Sequence, residues 1–228
     1  MMNVLYRKNS KGFSLVELIV VIAVLAVLLA ILIPSLSKAR LQARVLVVNY
    51  ELGQIGLALE AYETSNNNWP VTRSDCSSIE HIYSLPLELV KGGYITGTKK
   101  NRKTFISNVE DKFYIGHTYK YIAPGPLYDY SGTQLENQYL CISQNFPANT
   151  SDVLVKYTDR KTSPVKWVLF SLGPKYDTNQ FRSRDWMGFP VDKGFPILQG
   201  SWYDKKSGKG ILTRIKASSN QFYGTFQK

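Results

Sequence analysis

The apolar positions near the start of the chain first form an unbroken run. Residues 18–33, LIVVIAVLAVLLAILI, are all apolar, and no charged residue occurs from Leu18 to Ser37. At ~1.5 Å per residue this stretch gives ~30 Å of helix, the thickness of the hydrocarbon core of a bilayer. We therefore predict a membrane-spanning helix. A cleaved secretory signal, with SLS at 35–37 as its cutting point, would carry a shorter apolar core and would not continue as helix.

The next stretch repeats apolar residues at alternating steps of four and three, at Leu41, Val45, Val48, Leu52, Ile55, Leu59 and Tyr62. This spacing is typical of an amphipathic helix. Polar residues and Pro70 in TSNNNWP cannot continue a helix. Residues 13–63 are therefore predicted as one helix of about 51 residues, kinked or locally melted at Pro34. Gly53 and Gly56 would loosen its second half or allow close packing there.

The remaining residues favour short strands. Residues 77–96 predict one or two short helices that lead to a turn at Gly92 and Gly93. Apolar and aromatic runs bounded by Pro, Gly, Asn and Asp predict strands at 112–125, 138–143, 153–157, 165–174 and 210–218. The order of these elements predicts an α+β fold, in which a small antiparallel sheet packs on the second half of the long helix.

Charge adds an orientation to this picture. The 228 residues carry a net charge of +11, and Arg7, Lys8 and Lys11 all precede the apolar run with no acid beside them. Basic residues before a span mark its cytoplasmic end, so the body is expected outside the cytoplasm. The basic cluster KKNRK at 99–103 is expected to be a solvated loop, with contact to nucleic acid or anionic lipid as the alternative.

The two cysteines and a search for catalytic motifs add little to these predictions. Cys76 and Cys141 are the only cysteines, and no second Cys or His stands near either at zinc-ligand spacing. Outside the cytoplasm they could form one disulfide; two buried thiols is the alternative. The chain contains neither a phosphate-binding loop nor a Gly-x-Ser-x-Gly or His-Glu-x-x-His motif, and His81 and His117 stand outside any catalytic constellation. We therefore predict that the chain is not an enzyme.

The sequence KGFSLVEL at residues 11–18, followed by the apolar run and Pro34, resembles the N-terminus shared by type IV pilins and type II secretion pseudopilins. The resemblance implies that a prepilin peptidase cuts between Gly12 and Phe13 and methylates the new amine of Phe13. The leader of residues 1–12 is then lost, and the net charge falls from +11 to +8 because three basic residues leave with it.

The resemblance also implies a role for Glu17 in assembly. A carboxylate beside hydrocarbon costs a few kcal/mol at the centre of a span and less at its edge, so it requires a cation. Cleavage creates an α-amine with a pKa of ~7.7 to 8.0 in model peptides. In a filament of staggered copies, Glu17 of one subunit would meet the Phe13 amine of its neighbour. The alternative is that the Glu17 carboxylate only extends to the lipid headgroups.

Three stretches of the body resemble the major (G-type) pseudopilin, namely LVKGGYIT, YKYIAPG and WVLFSLGPKYDTNQF. The segment 126–164 and the tail after 185 depart from that family, which implies a divergent branch. Members often bind calcium in the C-terminal loop, and Asp177 and Asp185 would be its carboxylates here. Calcium requires six to eight oxygen ligands, and Lys175 opposes the metal, so we expect an ordinary loop and no cofactor.

These expectations divide the chain into four segments: a prepilin leader (1–12), a transmembrane and assembly helix (13–37), an amphipathic helix entering the body (38–63) and an extracytoplasmic α+β body (64–228). The resemblance implies a subunit of a pseudopilus in type II protein secretion, held in the bacterial inner membrane. Its expected partners are further copies of itself, the prepilin peptidase, other pseudopilins and the assembly platform, and nucleic acid is not expected. The alternative is a type IV pilus or minor pilin-like subunit that acts in adhesion or DNA uptake. An enzyme that uses the segment only as an anchor would have no need of Glu17.

Overall fold

The computed structural model describes residues 14–73, 83–99, 105–107, 109–129, 131–151, 153–174 and 193–227. It divides between Gln42 and Ala43 into two units. The first unit consists, in its described part, of the exposed first half of one helix. The second unit holds all the strands described.

The predicted long helix is present as α1, Leu15–Asn66, with 52 residues. The helix passes through Pro34 without interruption, so the local melting expected there is not found, and the predicted bend stays a prediction. The predicted stripe is buried at Val45, Val48, Leu52, Ile55 and Leu59. At the last turn, the side-chain amide of Asn66 donates a hydrogen bond to the carbonyl of Tyr62 at 2.9 Å.

The sheet that faces this stripe has four antiparallel strands in the order β11-β10-β9-β4. Their bounds are Lys120–Ile122 for β4, Val165–Ser171 for β9, Leu212–Ala217 for β10 and Phe222–Gly224 for β11. This confirms the α+β fold. The strand predicted from 112 to 125 is wrong in its first half. The Tyr114 amide donates a hydrogen bond to the Asp111 carbonyl, and Gly116 has a φ of 88°, so the chain turns there.

Both faces of this sheet are covered. Along β9, Trp167 and Leu169 belong to the cluster that contains the α1 stripe, whereas Val168 and Phe170 belong to a second cluster on the other side. Successive strand residues point to opposite faces, so a strand covered on both faces reads as a continuous apolar run, as WVLF does.

Smaller elements surround the main sheet. A three-stranded sheet has the order β1-β5-β6, with β1 and β5 parallel. The remaining bounds are Thr72–Arg73 (β1), Leu87–Lys91 (α2), Gly97–Lys99 (β2), Phe105–Ser107 (β3), Gly125–Tyr128 (β5), Gln134–Gln138 (β6), Leu140–Ser143 (β7) and Leu154–Tyr157 (β8). The pairs β2–β3 and β7–β8 each form a two-stranded antiparallel sheet. Short 3-10 helices occur at Gln199–Ser201 and Thr225–Gln227.

Candidate processing and assembly site

The head of α1 is closed by two side chains that bond each other's backbone. The Ser14 amide donates to Glu17 Oε2 at 2.8 Å, and the Glu17 amide donates to Ser14 Oγ at 3.2 Å. The Ser14 hydroxyl also donates to Glu17 Oε2 at 2.9 Å. This reciprocal pair is a capping box, which satisfies amide groups that a helix N-terminus leaves without partners. Sequence reasoning missed it, although the spacing Ser-x-x-Glu before an apolar run is its signature.

The capping box leaves room for a second partner of Glu17. Both described bonds from Ser14 end on Oε2, and within the described residues Oε1 receives none. A carboxylate can accept about four hydrogen bonds. Glu17 is therefore able to cap its own helix and to accept a cation from outside the chain. Gly12 and Phe13, the predicted cleavage and methylation site, lie outside the described residues.

The helix behind Glu17 presents an apolar surface on all sides. Leu18, Ile22, Leu25, Leu29 and Ile33 are all more than half exposed, and the residues between them are exposed as well. In the described part of the chain, α1 is the one helix long and apolar enough to cross a membrane. An isolated helix in water does not expose a surface of this kind, so lipid or other helices must cover it.

The second half of α1 docks on the sheet through a glycine notch. A Cβ at Gly56 would lie 3.2 Å from Arg214 Nε and 3.3 Å from the Trp167 ring, which is completely buried. The absence of a side chain at Gly56 therefore lets the helix backbone approach β9 and β10. Of the two uses expected of these glycines, close packing is the one found at Gly56.

Arg214 lies at this notch as a cation between two aromatic rings. Its guanidinium is 4.5 Å from the Phe222 ring centre and 4.6 Å from that of Phe226. Burial lowers the pKa of Arg214, and the charge of Glu60 acts in the opposite direction. Cation–π contacts of this kind stabilise a partly buried guanidinium.

Three carboxylates of α1 fasten the helix to the body. Glu60 pairs with Lys216 at 2.5 Å, and Glu63 pairs with Lys166 at 2.6 Å. Glu51 pairs with Lys112 at 3.1 Å and also accepts the Tyr119 hydroxyl. Burial, and then Glu51, raise the pKa of Tyr119, so its hydroxyl remains a donor. These polar contacts fix the register of the helix along the sheet, which an apolar stripe alone specifies less tightly.

A buried carboxylate secures the loop that precedes β4. Asp111 is 1% exposed, and its Oδ1 accepts the Ser171 hydroxyl at 2.8 Å and the Phe113 amide at 2.9 Å. Burial raises the pKa of Asp111, while these hydrogen bonds and the charge of Lys120 act in the opposite direction. Ser171 begins the SLGPKYD stretch that resembles the pseudopilin motif, and its hydroxyl thus serves to anchor the loop.

The other predicted site residues fall largely outside the described residues. These are Cys76, His81, Asp177, Asp185 and most of the basic cluster at 99–103. Cys141 is buried on β7, and its pairing with Cys76 stays a prediction. His117 stacks on Tyr114 with ring centres 4.2 Å apart. Within the described residues no group of three or more His, Cys, Asp and Glu could hold a metal ion.

The fold and the head of α1 together are pilin-like: a long apolar helix, capped by Ser14 and Glu17, packs its second half on an antiparallel sheet. Residues 7–33 match the family described as "Prokaryotic N-terminal methylation motif". No solved structure matches the chain.

Two relatives make the class more specific. The chain is 44% identical over 62 residues to the type IV wide pilus major component PilA4 of Thermus thermophilus, a match covering 27% of this chain and 47% of PilA4. It is 26% identical over 119 residues to the type II secretion system core protein G of Pseudomonas aeruginosa, a match covering 52% of this chain and 78% of that protein. The chain thus spans less than half the length of PilA4.

The chain is thus similar to a type IV pilus component and to a type II secretion core protein, the two classes that its N-terminal sequence resembles. The two relatives are named as a pilus component and a secretion-system core protein, which agrees with the prediction of a non-catalytic chain. The motif and the apolar helix fit anchoring in a membrane.

Proposed function

We propose that the chain is a prepilin-type structural subunit that a prepilin peptidase cleaves between Gly12 and Phe13 and methylates at Phe13. Residues 13–37 hold it in the bacterial inner membrane, and the body of residues 64–228 lies outside the cytoplasm. The subunits then leave the membrane by packing their apolar helices into a filament. The observation that carries this proposal is the exposed Glu17 at the head of an exposed apolar helix.

The pairing of Glu17 with the Phe13 amine of a neighbouring copy drives this assembly. Oε1 of Glu17 is open to such a cation within the described residues. A charged carboxylate at the edge of hydrocarbon gains from a cation, and the amine that cleavage exposes supplies it. The capping box persists after cleavage, because Ser14 then becomes the second residue of the mature chain.

The filament that we favour is a pseudopilus of type II secretion. The match with core protein G supports this choice. It covers 119 residues, more than the 52 residues of α1, and therefore includes residues outside that helix. Other pseudopilins and the inner-membrane assembly platform would then be partners. The alternative is a type IV pilus, which the 44% identity to PilA4 favours. Deletion of the gene should abolish export of secreted proteins under the first reading and remove surface fibres under the second.

Two substitutions separate the charge of Glu17 from its capping role. Glu17→Gln keeps an oxygen that can accept the Ser14 amide but carries no charge, whereas Ser14→Ala keeps the charge and loses the hydroxyl contacts. We expect both variants to insert into the membrane when co-expressed with the peptidase. Electron microscopy of the filament fraction from cells that overexpress the chain with the peptidase should show filaments for Ser14→Ala and none for Glu17→Gln. Filaments of Glu17→Gln in wild-type amounts would refute the charge pairing.

A further inference from the structure

An open cavity of about 620 Å³, which we call the Trp69 cavity, lies beside the end of α1. Its lining includes Asn67, Trp69, Pro126, Asn137, Thr158 and Lys161. Asn67 directly follows α1, and Pro126 and Asn137 lie opposite each other on β5 and β6. The volume is within the range of about 300–1,000 Å³ that small-molecule sites occupy. Most of the lining belongs to the segment 126–164, which departs in sequence from the pseudopilin body.

One arginine holds the walls of this cavity together. Nε of Arg160 donates to the carbonyl of Pro124 at 3.0 Å. Its Nη1 donates to Asn68 Oδ1 at 2.7 Å and to the Trp69 carbonyl at 3.2 Å. Gly125 makes room for this arginine, because a Cβ there would lie 2.6 Å from Arg160 Nε. These bonds join the chain that leaves α1 to the start of β5, so the walls are fixed before a ligand binds, which lowers the entropy cost of binding.

The polar side chains of the lining are free to bind a ligand. Four of them are exposed and make no side-chain hydrogen bond within the described residues: Asn67, Asn137, Thr158 and Lys161. Amide and hydroxyl groups of this kind both donate and accept hydrogen bonds. The partly buried rings of Trp69 and Pro126 place apolar surface beside them. Apolar rings flanked by neutral donors and acceptors are complementary to a sugar, whose ring has C–H faces and a rim of hydroxyl groups.

The charges of the cavity argue against an anionic ligand. The guanidinium of Arg160 already donates to four oxygens of the protein, so it belongs to the wall. The remaining charges of the lining are Asp159 and Lys161, one of each sign. Phosphate and carboxylate ligands are bound by arginine or lysine groups that are free to pair with them. A neutral ligand rich in hydroxyl groups fits this balance of charge better.

We propose that the Trp69 cavity binds a saccharide. Trp69 and Pro126 contact the C–H face of a sugar ring, and Asn67, Asn137 and Thr158 hydrogen-bond its hydroxyl groups. This binding gives the segment 126–164 a use that filament assembly does not require. The inference goes beyond the proposed function and does not depend on it, because binding is measured on the unassembled chain.

Titration calorimetry on the full chain tests the proposal. The probes are chitotriose, built from the N-acetylglucosamine units that cell-wall glycan also contains, and two glucans, cellotriose and maltotriose. The chain is kept in dodecylphosphocholine, because a maltoside detergent would itself present a sugar. We expect at least one of these saccharides to bind, and Asn137→Ala to weaken its binding about fivefold or more through the lost hydrogen bonds. Asn137 is exposed and makes no side-chain hydrogen bond within the described residues, so this variant should fold normally.

Gln144→Ala is the matched control. Gln144 is also an exposed amide without a side-chain hydrogen bond in the described part of the chain, but it does not line the cavity. Its variant should bind the saccharide as the wild type does.

The choice of saccharide identifies its source. Stronger binding of chitotriose would indicate cell-wall glycan, and stronger binding of a glucan would indicate a polysaccharide outside the cell; either result supports the proposal. Three results would overturn it: no binding of any of the saccharides at up to about 10 mM, equal binding by Asn137→Ala and the wild type, or binding of tetraglutamate in place of every saccharide, which would identify an anion site. All three would leave the proposed function intact, because none of them concerns processing or filament assembly.

Discussion

At the residue scale, Glu17 shows how far a sequence motif can be taken. The motif predicted that Glu17 matters for assembly, but it did not predict that Glu17 also caps its own helix through Ser14. Both described bonds from Ser14 end on Oε2, which leaves Oε1 for the proposed contact with a neighbouring amine. A substitution to Ala would remove both roles at once, so only Glu17→Gln isolates the charge.

Asp111 is the residue whose titration should be visible in stability. Burial raises its pKa, so the folded chain binds this proton more tightly than the unfolded chain does. The stabilisation is therefore full below the ordinary carboxyl pKa of 3.8 and is lost as the pH rises through the raised folded value.

We expect Asp111→Asn to remove this pH dependence. The Asn oxygen can replace Oδ1 as acceptor for Ser171 and Phe113, and any constant difference in stability does not affect the slope. The measurement is the free energy of unfolding of wild type and variant in detergent at several pH values above 3.8. Parallel curves for the two proteins would show that Asp111 titrates as it does in the unfolded chain.

At the element scale, α1 was predictable in its extent and its buried stripe, since both depend on local spacing. Its ends agree with the predicted 13–63 to within three residues. What spacing could not supply is the partner at each position. Gly56 packs against Trp167 and Arg214, and Glu60 pairs with Lys216. These contacts depend on which strand lies opposite the helix, and only the folded sheet determines that.

The two glycines of α1 should respond differently to the same substitution. A Cβ at Gly56 meets three atoms of Arg214 and Trp167 at 3.2 to 3.4 Å, whereas one at Gly53 meets only Arg214 Nη1 at 3.6 Å. We expect Gly56→Leu to destabilise the body by about 1–3 kcal/mol through overpacking. Gly53→Leu should be close to neutral, because a gain in helix propensity of up to ~1 kcal/mol offsets the cost of the new contact with Arg214. Thermal unfolding of the two variants measures these changes in stability. Equal losses of stability at the two positions would contradict a close-packed notch at Gly56.

At the scale of the whole molecule, the strands of the main sheet were predicted where apolar runs are long, as in 165–174 and 210–218. The short strands β1 to β3, β5, β6 and β11 were missed or misplaced. A strand of two to five residues contains too few alternations to show a period, and its formation depends on its neighbour.

The central claim is that this chain is processed at its N-terminus and assembled into a filament as a cleaved, methylated subunit. The most direct test is tandem mass spectrometry of the N-terminal peptide of the protein recovered from a filament fraction of cells that express the peptidase. We predict a peptide that begins at Phe13 and carries a methyl group on its α-amine, with Gly12→Ser leaving an unprocessed chain in the membrane fraction. A wild-type chain in the filament fraction that still begins at Met1, or one that begins at a residue other than Phe13, would contradict the account.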